Sequence, residues 1–450
     1  MTAPARLEVP SVDAWLAERR RENTLRVRRV PLDTLREWRT DPETGDLRHR
    51  SGRFFTVEGI RIRDSSLEFD AWDQPLVVQP EYGVLGLLLK EVDGRLHGLF
   101  QAKVEPGNAG GTQLAPTVQA TRSNYTRVHG GLPVPYLDRF LGTTRRRRGR
   151  ILFDSLQSEQ ASWFLAKRNR NMAVLLAPGD DVPVLPGHHW VPLDDLGPLL
   201  RRDDLVGMDA RSVLSGLVAA RLPSGPERPH HDDRELLSWF TEAKAGDATV
   251  RRRIPLREVR DWVRTPESIH HCEHRHFAVI GVDVEATGRE VERWSQPMLA
   301  PTGTGVVALL SRRVDGTRHY LVQARSEAGC LDAVEMAPTV QCQPGSYAGL
   351  PANRRPAFLG EVLSAPPERI LLDTVQSEEG GRFYHARNRY LIVDVGEDFP
   401  LDVPDRFAWV TARQLTTLVC YANHLNVQVR TLLTLLGFAA ADETAREAEQ

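Results

Sequence analysis

Hydrophobic and polar positions along this chain follow one pattern, and the pattern runs twice. Val12, Trp15 and Leu16 share one side of a helix predicted over Ser11 to Arg20, as Leu236, Trp239 and Phe240 do over Glu235 to Lys244. A second helix is expected after Pro31 and after Pro255, because proline suits a first helical turn. Runs rich in aromatic and β-branched residues follow at 54–62 and 277–284 and read as strands. Gly83 to Lys90 and Gly305 to Arg312 look like buried strands. Each meets an Asp-Gly pair (Asp93-Gly94, Asp315-Gly316) and returns through Leu96 to Lys103 or His319 to Arg325 as a hairpin. Segments 151–154 and 370–373 read as strands, 157–164 and 376–384 as helix or loop and helix, and 172–177 and 390–395 as strands again. Helices close the halves at Ala210 to Leu222 and Val427 to Leu436, and the polar tail from Ala439 is expected to fray. The fold class is α+β, without the regular βαβ alternation of a dinucleotide-binding domain.

The repetition is literal. Residues 72–125 and 294–347 align without a gap at an offset of 222, with 22 of 54 positions identical. Unrelated sequences of this composition would share roughly three. An offset of 224 upstream joins Trp15 to Trp239 and Trp38 to Trp262; one of 219 downstream joins Arg168-Asn-Arg to Arg387-Asn-Arg and Arg211 to Arg430. So long a period means duplication of a whole domain, not stacked short repeats. The Pro-rich polar stretch near Leu222 to Asp233 reads as a linker. The expected division is a first module over 1–222, a linker over 223–233 and a second module over 234–450, each large enough for its own core.

Composition narrows the setting. With 41% hydrophobic and 26% charged residues and a net charge of −2, the chain has no global pull toward nucleic acid or an anionic membrane. Arg145–Arg148 is the one dense basic run and reads as a solvated loop. Four cysteines (Cys272, Cys330, Cys342, Cys420) without CxxC spacing suggest a reducing compartment. With no signal peptide and no apolar run of about 20 residues, a cytoplasmic protein is expected.

Candidate chemistry lies in the retained blocks. Gly107-Asn-Ala-Gly-Gly lacks both phosphate-loop spacings. The His270-His-Cys-Glu-His-Arg-His run has as its counterpart Arg48-His-Arg-Ser-Gly-Arg-Phe, which could not hold a metal, and adjacent strand residues face opposite ways, so no metal site is expected. Ala-Pro-Thr-Val-Gln, carrying Thr117 and Gln119 or Thr339 and Gln341, sets polar groups on a rigid backbone; a buried strand with satisfied polar groups is the plainer alternative. Gln157-Ser158-Glu159 and Gln376-Ser377-Glu378 pack amide, hydroxyl and carboxylate at a strand exit, each preceded by Asp154 or Asp373. Trp72 and Trp294, each in Trp-x-Gln-Pro, either stack on a base or sugar or fill core. Arg168-Asn-Arg and Arg387-Asn388-Arg suit a diphosphate clamp or a solvated strand edge.

Together these blocks resemble the NDP-hexose 2,3-dehydratases of deoxysugar biosynthesis, over nearly the whole chain. The resemblance implies tandem modules of Nudix-hydrolase-like topology, a homodimer and a dTDP-4-keto-6-deoxyglucose substrate. No Nudix-box arrangement of glutamates is present, so pyrophosphate hydrolysis is not the implied activity. The implied reaction removes water across C2–C3 and needs no redox cofactor: the C4 ketone acidifies the C3 hydrogen, a base removes it, and an acid assists the C2 hydroxyl. A downstream NADPH-dependent 3-ketoreductase is an expected partner, because the diketo product is reactive. The second copy has Glu335 for Gln113, Glu379 for Gln160, Tyr384 for Leu165 and His385 for Ala166, so it is expected to be the catalytic one. Tyr347, Glu378 and His385 are the acid–base candidates, with Tyr125 and Glu159 recurring as counterparts of the first two. Trp72, Asp154, Gln157, Ser158, Trp294, Thr339, Gln341, Gln376, Ser377, Arg382, Arg387 and Asn388 are expected to bind substrate. The alternatives are another sugar-nucleotide lyase or epimerase, or a non-catalytic tandem nucleotide-binding module.

Overall fold

The computed structural model of the chain describes residues 11–63, 71–122, 133–141, 149–222, 227–287 and 291–448. Tyr125 and Arg145–Arg148 lie outside them. The first half carries β1 (Leu25–Val30), β2 (Trp38–Thr40), β3 (Leu47–His49), β4 (Thr56–Arg63), β5 (Ala71–Val78), β6 (Gly83–Val92), β7 (Arg95–Lys103), β8 (Gln113–Ala115), β9 (Val118–Thr121), β10 (Gly149–Ser158), β11 (Arg168–Leu176) and β12 (His188–Pro192). The second half repeats this order. Its strands are β13 (Val250–Ile254), β14 (Trp262–Arg264), β15 (Ser268–His271), β16 (Phe277–Ala286), β17 (Arg293–Pro301), β18 (Gly305–Val314), β19 (Thr317–Arg325), β20 (Glu335–Pro338), β21 (Val340–Cys342), β22 (Ile370–Ser377), β23 (Arg387–Asp394) and β24 (Phe407–Thr411). Each strand's counterpart is therefore twelve further on.

Each half builds a large mixed sheet, β10-β11-β6-β7-β12 or β22-β23-β18-β19-β24, in which β6 runs parallel to β11 and β18 to β23. The Asp-Gly hairpins form as expected, with Asp93 and Gly94 at φ 51° and 76° and Asp315 and Gly316 at 46° and 79°. Positive φ at both central residues matches the right-handed twist of the flanking strands. The β6–β7 hairpin pairs only in its outer part, from Leu88 and Leu99 outward. Below that point β8 joins β7 and β9 joins β6, with Pro116-Thr117 between them. The threonine completes the split ladder. Thr117 Oγ1 accepts from Leu88 N–H at 2.9 Å and donates to the Leu99 carbonyl; Thr339 Oγ1 accepts from Leu310 N–H at 3.0 Å and donates to the Leu321 carbonyl. Gln101 and Gln323 each donate to the carbonyl of the neighbouring proline, Pro116 (2.8 Å) or Pro338 (2.9 Å). Two retained blocks thus brace one another.

The smaller sheets show that the halves are interwoven. β1 pairs not with its own half but with β16, antiparallel from Leu25↔Ala286 to Val30↔Gly281. Reciprocally, β13 pairs with β4. Trp38 donates to the Ser295 carbonyl (2.8 Å) and Trp262 to the Asp73 carbonyl (2.9 Å), each crossing to the other half. The largest apolar cluster likewise draws on both halves, including Leu87, Phe100 and Val213 with Leu309, Tyr320 and Leu432. Each such buried side chain contributes roughly 1.5–3 kcal/mol. Each half also keeps an apolar cluster of its own, around Leu88, Phe140 and Met172 in the first and Leu310, Leu391 and Trp409 in the second, so the halves add a shared core to their separate ones.

Helices form where caps and periodicity agree. Val12–Glu22 begins at Ser11, whose side chain accepts from Ala14 N–H, and Asp233–Ala245 begins with a capping box between Asp232 and Glu235. Three expectations are corrected. After Pro31 and Pro255 only single 3₁₀ turns form (Leu32–Thr34, Leu256–Glu258), because the chain reverses through the left-handed Glu37 and Asp261. Segments 157–164 and 376–384 are not helical. β10 and β22 run on to Ser158 and Ser377, held in register by Arg168 and Arg387, and an irregular turn follows. The closing helix Val427–Ala448 extends past residue 439 instead of fraying there, in keeping with its Ala, Glu and Arg content.

Candidate functional site

The turns after β10 and β22 reach across to the opposite half. His385 N–H donates to the Gly107 carbonyl (2.8 Å) and Gly107 N–H to the Gly380 carbonyl (2.7 Å); Ala166 and Gly329, then Gly329 and Ala161, repeat this at 2.7 Å each. A Cβ on Gly107 would lie 1.7 Å from the Phe383 carbonyl oxygen, and one on Gly329 1.8 Å from that of Phe164. No side chain fits, which explains why both copies keep glycine here. Trp-x-Gln-Pro secures the same turns. Trp72 Nε1 donates to Gln74 Oε1, whose amide reaches the Ser162 carbonyl (2.8 Å); Trp294, Gln296 and the Gly381 carbonyl (2.6 Å) repeat this.

Crossing gathers two clusters of buried polar side chains, each drawn from both copies and called a pocket for the turns that enclose it. In one, Glu327 accepts from Ser162 (2.5 Å), Gln341 (3.0 Å) and Arg325 (3.2 Å); Gln341 accepts from Asn426 (2.8 Å), and Tyr347 lies near the Arg325 guanidinium. Glu378 belongs here, and both its oxygens are occupied: Asn388 (2.6 Å) and Tyr390 (2.7 Å) donate to Oε1, Gln160 (2.7 Å) to Oε2. In the other pocket, Lys103 pairs with Glu105 (2.7 Å), and Glu159, Lys167 and Asp209 of the first copy face Glu379 and Arg382 of the second. Glu159 Oε1 accepts from Asn169 (2.6 Å), while its buried Oε2 has no hydrogen-bond partner among the described residues.

Burial dominates the electrostatics of this second pocket. It pushes the Glu159 carboxyl up to about 7, against the pull of Arg430 and Lys167, and pulls the Lys167 ammonium down to about 8 against Glu159. Burial also raises Asp209 well above the carboxylate range, with Glu159 and Glu379 adding to the effect, and raises Glu379. At the interface between the copies burial lifts Glu335 to about 7, although Ser158 donates to its Oε2 at 2.9 Å. Arg430 stands between Glu335 and Glu159, donating to the carbonyls of Leu425 (2.7 Å) and Ser158.

The residues nominated from sequence are dispersed. Tyr347, Gln341 and Glu378 belong to one pocket; Arg382 belongs to the other, beside which His385 is exposed and stacks on Tyr384 at 4.1 Å. Gln157 and Gln376 are fully buried and tie the halves together, donating to the carbonyls of Val419 (2.6 Å) and Leu200 (2.9 Å). Ser377 accepts from Gln113 (2.6 Å), and its carbonyl accepts from Arg211 (2.6 Å). Asp154 forms a two-bond ion pair with Arg170, as Asp373 does with Arg389, and Arg387 pairs with Asp204 (2.6 Å). Thr339 is spent in the sheet split and Asn388 on Glu378. Lys167 and Asp209 were missed. Their signal was present in the internal alignment, where the second copy has Ala386 and Gln428. Among the described residues no group of three or more His, Cys, Asp or Glu is placed to hold a metal ion.

A family model described as NDP-hexose 2,3-dehydratase matches the chain twice, over residues 10–217 and 233–436. The chain belongs to the NDP-hexose 2,3-dehydratase family. Among relatives called dTDP-4-dehydro-6-deoxy-alpha-D-glucopyranose 2,3-dehydratase, that of Streptomyces violaceoruber is 52% identical, over 93% of this chain and 95% of the relative. Those of Saccharopolyspora spinosa and Amycolatopsis orientalis are 46% and 45% identical, over 94% and 98% of this chain and 90% and 92% of theirs. A crystal structure of a Nudix hydrolase from M. smegmatis, RenU, is 19% identical, covering 32% of this chain and 85% of that one at a TM-score of 0.16. The dehydratase is thus an enzyme of the hydro-lyase kind, and its structure is a mixed α+β fold in two similar halves. No helix among the described residues is long and apolar enough to cross a membrane.

Proposed function

We propose that this dehydratase removes water across C2–C3 of dTDP-4-keto-6-deoxyglucose to give the dTDP-3,4-diketo-2,6-dideoxy sugar. The observation that carries the reading is a pocket of buried carboxyl and ammonium groups titrating near neutrality, in a chain whose relatives are named for this reaction. The reaction asks for that pairing: a base for the C3 hydrogen, acidified by the C4 ketone, and an acid for the C2 hydroxyl. The electrons stay on the sugar, so the step needs no redox cofactor. Incubation with dTDP-4-keto-6-deoxyglucose and a trapping reductase is expected to yield a product lighter than the reduced substrate by one water. Unchanged substrate with folded protein would remove this reading; a product of unchanged mass would favour an epimerase.

Three further parts of the reading follow the family resemblance. Each half is assigned a Nudix-hydrolase-like topology, supported by a mixed sheet with a parallel central pair. A homodimer in the cytoplasm is the assigned assembly and location. The reactive diketo product calls for an NADPH-dependent 3-ketoreductase acting next.

A further inference from the structure

Glu159 and Glu378 occupy equivalent places after β10 and β22, and the structure treats them differently. Glu378 receives three side-chain donors, from Asn388, Tyr390 and Gln160. For Glu159 only the asparagine survives, as Asn169. Tyr390 is replaced by Asn171, whose amide donates to the Asn169 carbonyl instead (3.0 Å), and Gln160 by Glu379, which accepts from Gly381 N–H (2.9 Å) and Arg382 N–H (2.7 Å). Glu159 therefore keeps one oxygen without a partner in a site where it is 3% exposed. An unpaired buried carboxylate oxygen costs stability, and such sites persist where function uses them. Lys167 stands beside it where the second copy has Ala386, its ammonium donating to the Glu81 carbonyl.

We propose that Glu159 is the general base of the dehydration and that Lys167 protonates the leaving hydroxyl, in a pocket closed by Glu379 and Arg382 of the other copy. This rests on the dehydratase reading. Glu159 Oε2 takes the C3 hydrogen as a proton, and the C–H electron pair moves into the C3=C4 bond of the enolate. When the enolate collapses, that pair forms C2=C3 and the C2–O bond breaks, the oxygen leaving as water with a proton from Lys167. The enol then takes a proton at C2 and loses its own at the C3 oxygen, while protonated Glu159 returns a proton to the Lys167 amine. Loss of one water is the only net change. A base near 7 beside an ammonium near 8 suits both roles at neutral pH. Glu81, Lys103, Glu105, Asp209, Glu379, Arg382 and Arg430 are the other charged groups around the pair. Glu379 and Arg382 are positioning residues.

The test follows two readouts in the full chain: turnover, and exchange of the C3 hydrogen with deuterated solvent. Glu159→Gln is expected to lose about 10²–10⁴-fold in kcat and to lose C3 exchange, while still binding dTDP. Lys167→Ala, which installs the second copy's residue, is expected to keep C3 exchange and lose turnover, separating acid from base. The loss in Glu159→Gln should exceed that in Glu378→Gln at least tenfold. Wild-type exchange and turnover in Glu159→Gln overturns the assignment alone, as does loss of exchange in Glu378→Gln but not Glu159→Gln. If wild-type protein neither exchanges nor dehydrates, the dehydratase reading fails and the assignment with it. Lys167→Ala carries the test should Glu159→Gln fail to fold.

Discussion

The two pockets share a backbone and differ in how completely their carboxylates are satisfied. Both oxygens of Glu378 are met by neutral donors, one of them, Gln160, from the other copy, so this carboxylate helps hold the copies together. Around Glu159 two of those donors are gone, a second carboxylate takes the place of one, and an ammonium faces the site. Duplication leaves one scaffold free to hold both arrangements. Since each turn crosses over, neither copy owns a pocket: the titratable groups that distinguish the second copy, Glu379 among them, meet those that distinguish the first. A group that either copy supplies to one of these pockets therefore faces groups supplied by the other.

That contrast can be broken most directly by supplying Glu159 with the donors Glu378 enjoys. The double change Asn171→Tyr with Glu379→Gln is expected to lower kcat on the order of 100-fold while dTDP affinity stays within a few-fold, read by steady-state kinetics and calorimetric binding. Wild-type kcat would mean the free oxygen has no part in turnover. A smaller effect is expected where the halves do not differ. Thr117→Val and Thr339→Val each strand a buried N–H and carbonyl, and each should cost about 1–3 kcal/mol in denaturant unfolding. A cost confined to one half would show that the sheet splits are not equivalent.

The smallest effect concerns pH. Glu159 and Glu335 keep their protons to about 7 when folded, against an unfolded value of 4.5. Between those values the folded protein binds more protons, so stability is greatest toward the acidic end and declines as pH rises through 7. Buried histidines with lowered values, His276 among them, act in the opposite sense, so the test is the difference: between pH 5 and 7 the melting temperature of Glu159→Gln is expected to gain on that of the wild type as pH rises. Equal slopes would place the raised carboxyl elsewhere.

Much of the scaffold was legible in the sequence. Asp-Gly turns, strand runs and the offset alignment locate both hairpins and the order of strands, because those signals are local. Pocket composition was not, for a physical reason. Comparing Gln160 with Glu379 and Ala166 with His385 marks where the two turns differ, but the partners of each turn are fixed by a crossing that no local pattern records. Gln157, Gln376, Thr117 and Thr339 show the complementary error. Retention through duplication suggested binding, whereas their side chains are consumed in joining strands and halves.

The exchange of β1 and β13 also bears on how the chain comes into being. β1 leaves the ribosome well before its partner β16, which lies roughly 250 residues later. At about 5–20 residues per second, that interval is on the order of 10–50 s. Through it the amino-terminal strand has no native edge to join, and β4 likewise waits for β13. β1 is thus made long before it can be completed, and a nascent chain arrested before residue 277 has no native place for it.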